Sequence, residues 1–195
     1  MFDQIFALAL FAFVSTFTPG PNNMMLMASG ANIGLGKTIP HILGVAFGFG
    51  FMIFLVGIGA QSVFSTIPLM HDVLKWGSTV FLCYLALKIA MSKPQLKTQK
   101  YRPMSFLSAA LFQWVNPKGW SMALSAVSLY NPTASLFGLV IITTTFIVVN
   151  IPSCTSWAYA GEKISAILDT AVKVRCFNLI MATLLIGSTL PMLQG

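Results

Sequence analysis

What this sequence has least of is charge. Only 8% of its 195 residues are Asp, Glu, Lys or Arg, and just four residues are acidic. A soluble domain is usually about 25% charged, so this chain cannot build the polar shell that such a domain needs. Cysteine is equally scarce. Cys83, Cys154 and Cys176 are odd in number and widely spaced, with no CxxC pair or metal-ligand pattern. That leaves no basis for a disulfide framework or a metal site, and apolar packing within helices is the plain reading. Catalytic signatures are missing too: no HExxH, GxSxG or DxD occurs, so catalysis is unsupported. No cofactor and no metal is expected.

Apolar residues are abundant. They make up 56% of the chain, and the mean hydropathy is +0.83. A membrane-crossing helix needs about 20 mostly apolar residues. Stretches of that kind lie near 4–30, 39–66, 72–91, 104–130, 134–160 and 174–193, which predicts six spans. The longest plainly polar run is Met91 to Pro103, too short for a separate soluble domain. Asp3 stands where a signal peptide would carry positive charge, and no small-x-small site follows, so the first stretch is expected to persist as a membrane helix.

Basic residues set the orientation. With the N-terminus outside, the cytoplasmic loops hold Lys37, then Lys88, Lys93, Lys97, Lys100 and Arg102, then Lys163, Lys173 and Arg175, nine of the eleven. Lys75 falls outside and Lys118 lies within a span. Both termini are therefore expected outside. The net charge of +7 sits in short loops beside spans, where topology and anionic lipid headgroups account for it. No nucleic-acid partner is implied.

The basic loop at 92–103 divides the chain into two sets of three spans, 1–91 and 104–195. Shifting one set by 96 residues lays Pro21 on Pro117. Each set has an odd number of spans, so the two must run in opposite directions, the inverted-repeat plan of many secondary transporters. The expected fold is an all-α membrane protein of six transmembrane helices in two inverted three-helix repeats. Its first and fourth helices are expected to break near the midplane, at Thr18-Pro19-Gly20-Pro21-Asn22-Asn23 and at Gln113-Trp114-Val115-Asn116-Pro117-Lys118-Gly119. Pro19, Pro21 and Pro117 are the helix breakers, since proline lacks an N–H and clashes with the preceding turn. Backbone freed at such breaks must face protein or a water-filled cavity. Freed N–H groups at a half-helix start suit a carboxylate, and freed carbonyls suit an ammonium. An amino acid carries both. The plainer alternative is a pair of kinks that only shape packing, but two matching breaks rich in Asn, Gln and Lys point to function. Lys118 either snorkels to an interface or faces the interior to pair with a carbonyl or a carboxylate.

These motifs resemble a known family. Phe17-Thr18-Pro19-Gly20-Pro21-Asn22 in the first span and Asn116-Pro117-Lys118 in the fourth are similar to signatures of the lysine exporter (LysE) superfamily. The Gly34-Leu35-Gly36-Lys37 loop, the glycine-rich second span and Lys75-Trp76-Gly77 leading into Tyr84-Leu85 extend the likeness over essentially the whole chain. The branch it resembles most is that of homoserine, threonine and cysteine exporters. The resemblance implies a multi-pass amino-acid exporter of a bacterial inner membrane, driven by proton antiport. Many relatives in the homoserine/threonine branch carry an aspartate in the fifth span, where this chain has Asn150. An amide does not titrate. The same substitution in cysteine and O-acetylserine exporters draws the implied substrate toward those.

If protons couple, another group must carry them. His41 is one candidate, because imidazole titrates near neutrality; the alternative is a headgroup-level histidine bonded to the loop. Glu162 is the second, set against an ordinary solvated charge beside Lys163, and Asp169 has the same two readings. All four acids lie near span ends, which disfavours a cationic substrate. Gly44 and Gly48 form a GxxxG, suited to close helix approach within the chain or across a homodimer. Trp76, Trp120, Trp157, Tyr101, Tyr130 and Tyr159 are mostly expected in interfacial belts.

The sequence thus predicts an exporter of small neutral amino acids or their derivatives, working by alternating access in contact with membrane lipids. Thr18, Gly20, Asn22, Asn23, Gln113, Asn116, Lys118 and Asn150 are the expected substrate-binding residues. Alternatives are an exporter of basic amino acids or another small metabolite, and a non-transporting membrane subunit. A redox carrier would need paired cysteines at the two breaks, and those positions hold none.

Overall fold

Proline and glycine decide where the helices stop. The structure, a computed structural model, describes residues 2–60, 104–131, 133, 135–167 and 170–187, with scattered positions between 76 and 91. The basic segment 92–103, most of the third apolar stretch with Asp72 and Lys75, Asp169 and the end of the last stretch lie outside the described residues. Among the described residues the regular structure is helical throughout.

Helix α1 (Phe2–Phe17) ends where Thr18, Pro19 and Gly20 leave helical geometry. Helix α2 (Pro21–Leu55) opens on Pro21 at its first position, where the missing N–H costs nothing and the ring presets φ. Gly20 is extended, with φ −169° and ψ 179°, as a residue before proline prefers to be. The second interruption is built the same way. Helix α3 (Phe106–Phe112) tightens into a 3₁₀ turn at Gln113–Val115, Asn116 is extended at φ −93° and ψ 104°, and Pro117 opens α4 (Pro117–Tyr130). Helices α5 (Leu136–Ser165) and α6 (Ala171–Gly187) complete the set.

Helix α2 is two pieces. At Gly34 the backbone takes φ 79° and ψ 167°, a conformation open to glycine and strained for other residues. The Ser29 and Thr38 hydroxyls then lie 3.2 Å apart. Nine residues of straight helix advance about 13.5 Å, so this bond requires the chain to turn back on itself at Gly34. The turn comes a few residues before the second apolar stretch was expected to begin.

Close backbone approach fixes the packing around α2. Its first piece crosses α5 with glycine on both sides: a Cβ on Gly30 would collide with the Ala158 carbonyl, and one on Gly161 with the Met27 carbonyl. The second piece lies on α3, where Gly44 and Gly48 face the backbones of Phe106 and Ala110. The GxxxG of the sequence therefore packs within the chain. Leu8, Phe49, Trp120, Leu139 and Phe146 join α1, α2, α4 and α5 in one apolar cluster.

The outer faces are apolar as well. Phe6 is 64% exposed and Phe137 73%, with Leu10, Phe47, Phe51, Leu111 and Ile180 also exposed. Burying an apolar face in lipid removes the cost that water would impose on it. Among the described residues, two helical runs, Pro21–Gly59 with its turn at Gly34 and Leu136–Ile164, are long and apolar enough to cross a membrane. Trp120 departs from the belt expectation: it is buried, and its indole donates to the Trp114 carbonyl at 2.9 Å.

Candidate functional site

The two interruptions meet and are laced together by side chains. Asn22, just after the first, donates to the Gln113 Oε1 at 2.9 Å, and Gln113 Nε2 donates back to Asn22 Oδ1 at 3.3 Å. Lys118, just after the second, reaches across to donate to the Thr18 carbonyl. Each break thus holds a residue of the other. Gly20 makes room for this lysine: a Cβ there would lie 2.7 Å from Lys118 Cδ.

The carbonyls that close α1 are already occupied. Asn23 Nδ2 donates to Thr16 O at 3.0 Å and to Thr18 O at 2.9 Å, and the Ser153 hydroxyl donates to Thr16 O at 3.0 Å. The Thr16 and Thr18 carbonyls at the first break are therefore not waiting for a ligand; Asn23, Ser153 and Lys118 have taken them. Ser153 follows Pro152 within α5, and α5 thereby supports the end of α1.

The helix starts are different. Neither α2 nor α4 has a side-chain hydrogen bond at its N-terminus. An asparagine at an N-cap normally accepts from a first-turn N–H, yet Asn116 does not cap α4, and its Oδ1 is buried without a hydrogen-bond partner. Leaving a buried acceptor unpaired costs about 1–3 kcal/mol, and such an orphan calls for an explanation in a ligand or water. Two positive helix ends and an ammonium, Lys118, converge here beside an unpaired acceptor.

These groups line a cavity of about 330 Å³ of empty space, part of it open to solvent. Gly20, Asn22, Asn23, Gln113, Asn116, Lys118 and Asn150 all lie on its wall. Thr18 contributes through the carbonyl that Lys118 holds. Ser15, Thr16, Phe49 and Met122 also line it, and none had been singled out from the sequence. Asn150 accepts from the Cys154 thiol at 3.3 Å. None of the residues on the wall is acidic.

His41 and Glu162 are not among the lining residues. His41 is 2% exposed, and both ring nitrogens are buried without a hydrogen-bond partner. The ring is therefore not hydrogen-bonded to the loop that precedes it. Glu162 accepts from the backbone N–H of Leu35 beside the Gly34 turn, a carboxylate at the positive end of the helical piece 35–55. Among the described residues, no group of three or more His, Cys, Asp or Glu could hold a metal ion.

The described residues thus form an all-helical fold, compatible with a membrane protein, with a small polar cavity where two helix interruptions meet. Residues 13–193 match the model of the family described as LysE type translocator, and the chain belongs to that family. It is 30% identical over 129 residues to a cysteine/O-acetylserine efflux protein of Klebsiella pneumoniae, an overlap of 65% of this chain and 64% of that protein. It is 25% identical over 178 residues, 90% of each chain, to a cysteine/O-acetylserine efflux protein of Escherichia coli O139:H28. The protein of the same description in Escherichia coli K12 is 24% identical over the same length. No solved structure matches this chain.

Proposed function

We propose that this chain exports small neutral amino acids or their derivatives, of the cysteine/O-acetylserine or threonine/homoserine kind, across a bacterial inner membrane by alternating access. One observation carries the reading. Lys118, two uncapped helix starts and a buried, unpartnered Asn116 Oδ1 line one cavity whose wall has no carboxylate. Helix N-termini and a lysine bind a carboxylate, and a lone amide oxygen accepts from an ammonium. A second cation on the substrate would find no counter-charge.

In the proposed cycle the substrate carboxylate draws Lys118 away from the Thr18 carbonyl, and Asn116 receives the ammonium. The chain then works as two inverted sets of three spans, 1–91 and 104–195, whose first and fourth helices are interrupted at mid-membrane. Both termini lie outside. Export is coupled to inward proton movement, with His41 and Glu162 as the candidate carriers, although neither lines the cavity. The names of the similar efflux proteins support cysteine and O-acetylserine as the first substrates to try.

Counterflow in proteoliposomes with a panel of labelled amino acids, with and without a pH gradient, tests this. Cysteine, O-acetylserine, threonine or homoserine should exchange and lysine should not. Lys118→Ala and Asn22→Ala should abolish exchange while the protein stays folded in the bilayer. Undiminished exchange in both variants would sink the site assignment.

A further inference from the structure

The proposed binding mode accounts for the carboxylate and ammonium of a substrate but leaves its side chain without a place. Phe49 and Met122 are the large apolar side chains on the wall, and neither has a part in that mode. Phe49 belongs to the apolar cluster that joins α1, α2, α4 and α5, and Met122 packs against it, so the cluster reaches the cavity at these positions. Phe49 is 2% exposed and stands edge-on to Phe146, with ring centroids 5.5 Å apart at 80°. It therefore cannot withdraw without unpacking the core. Met122 is only half-buried, and its thioether side chain is flexible. It follows Lys118 by one helical turn on α4, so the two share a face and stand about 6 Å apart along the axis. The side chain of an amino acid whose carboxylate lies at Lys118 has this apolar wall within reach.

We propose that Phe49 and Met122 form the side-chain subsite, which admits short uncharged side chains, and that Met122 sets the length limit. The proposal rests on the amino-acid export reading above. Phe49 is the fixed wall and Met122 the adjustable one. A charged side chain is excluded because the apolar surface offers no partner.

Binding to purified protein in lipid nanodiscs tests the subsite without requiring transport. Glycine, alanine, cysteine, methionine, leucine and lysine are titrated calorimetrically against the wild type, Met122→Ala and Met122→Phe. The wild type should favour the short neutral members and bind lysine least. Met122→Ala should raise the affinity for leucine relative to alanine by about ten-fold, the usual weight of a methylene or two in an apolar pocket. Met122→Phe should move that ratio the other way. Glycine, which has no side chain to place, should bind all three proteins alike. Melting curves identify a variant that fails to fold, in which case the other reads the ratio. A leucine-to-alanine ratio unchanged in the folded variants overturns the subsite and leaves the export reading standing. Wild-type protein that binds no panel member overturns both.

Discussion

At Thr18 the carbonyl closing α1 accepts from two side chains, Asn23 and Lys118, and the second reaches it only because residue 20 has no Cβ. An alanine at 20 would meet Lys118 Cδ at 2.7 Å. The lysine stem is flexible, so the expected result is a displaced ammonium and an intact fold. A hydrogen bond to a charged group is worth about 1.5–3 kcal/mol. Gly20→Ala should therefore lower the melting temperature of the detergent-purified protein by a few degrees, at about 2–4 °C per kcal/mol for a chain of this size. Residues acting through one contact are non-additive, so Gly20→Ala should add nothing to Lys118→Ala. Equal, additive losses in the double variant would refute the shared contact. The sequence placed Lys118 at a helix break, with pairing to a carbonyl or a carboxylate as one reading; it did not show that the carbonyl is that of Thr18, at the end of another helix. Asn23 was legible as polar and intramembrane, but its role in closing α1 depends on a folded-back amide that no spacing reveals.

Among the elements, the interruptions were the most legible, because proline forces its predecessor out of the α region wherever it occurs. Gly20-Pro21 and Asn116-Pro117 could hardly be read otherwise. The turn at Gly34 was visible as a glycine-bearing loop, although its position was read only approximately. The crossing of α2 and α5 was not legible. Gly30 and Gly161 face each other's helix across 131 positions of sequence, and Ser153 meets Thr16 across 137; contacts so distant leave no local pattern. The crossing supplies its own test. A Cβ on Gly161 would meet the backbone of Met27, and backbone cannot swing aside. Overpacking of this kind costs about 1–3 kcal/mol, so Gly161→Ala should lower the melting temperature of the detergent-purified protein. A Cβ on Gly36 would meet no atom within 4 Å, and Gly36→Ala should leave the melting temperature unchanged. Equal melting for the two variants would show that the crossing is looser than the geometry requires.

At the scale of the whole molecule, two contacts bear on which ends of the helices share a side of the membrane. Leu35, just past the Gly34 turn, donates to Glu162 near the end of α5. Tyr130, at the end of α4, donates to the Ala7 carbonyl near the start of α1 at 3.2 Å. Counting spans from an outside N-terminus puts the Gly34 turn and Glu162 on the cytoplasmic side, and Ala7 and Tyr130 on the outer side. The two contacts pair the same ends that the count pairs, and they hold equally for either orientation. The basic residues Lys37 and Lys163 stand exposed at the Glu162 end, where the positive-inside tendency wants them. The orientation is open to direct measurement in a variant whose Cys83, Cys154 and Cys176 are replaced by alanine. Lys37→Cys in that background should resist a membrane-impermeant maleimide added to intact cells and react in inverted vesicles. Thr133→Cys, beyond the end of α4, should do the reverse. Exchange of the two patterns would invert the topology while keeping the pairing of ends. Labelling of both positions from the same side would break the pairing itself, and with it the inverted arrangement of the two halves.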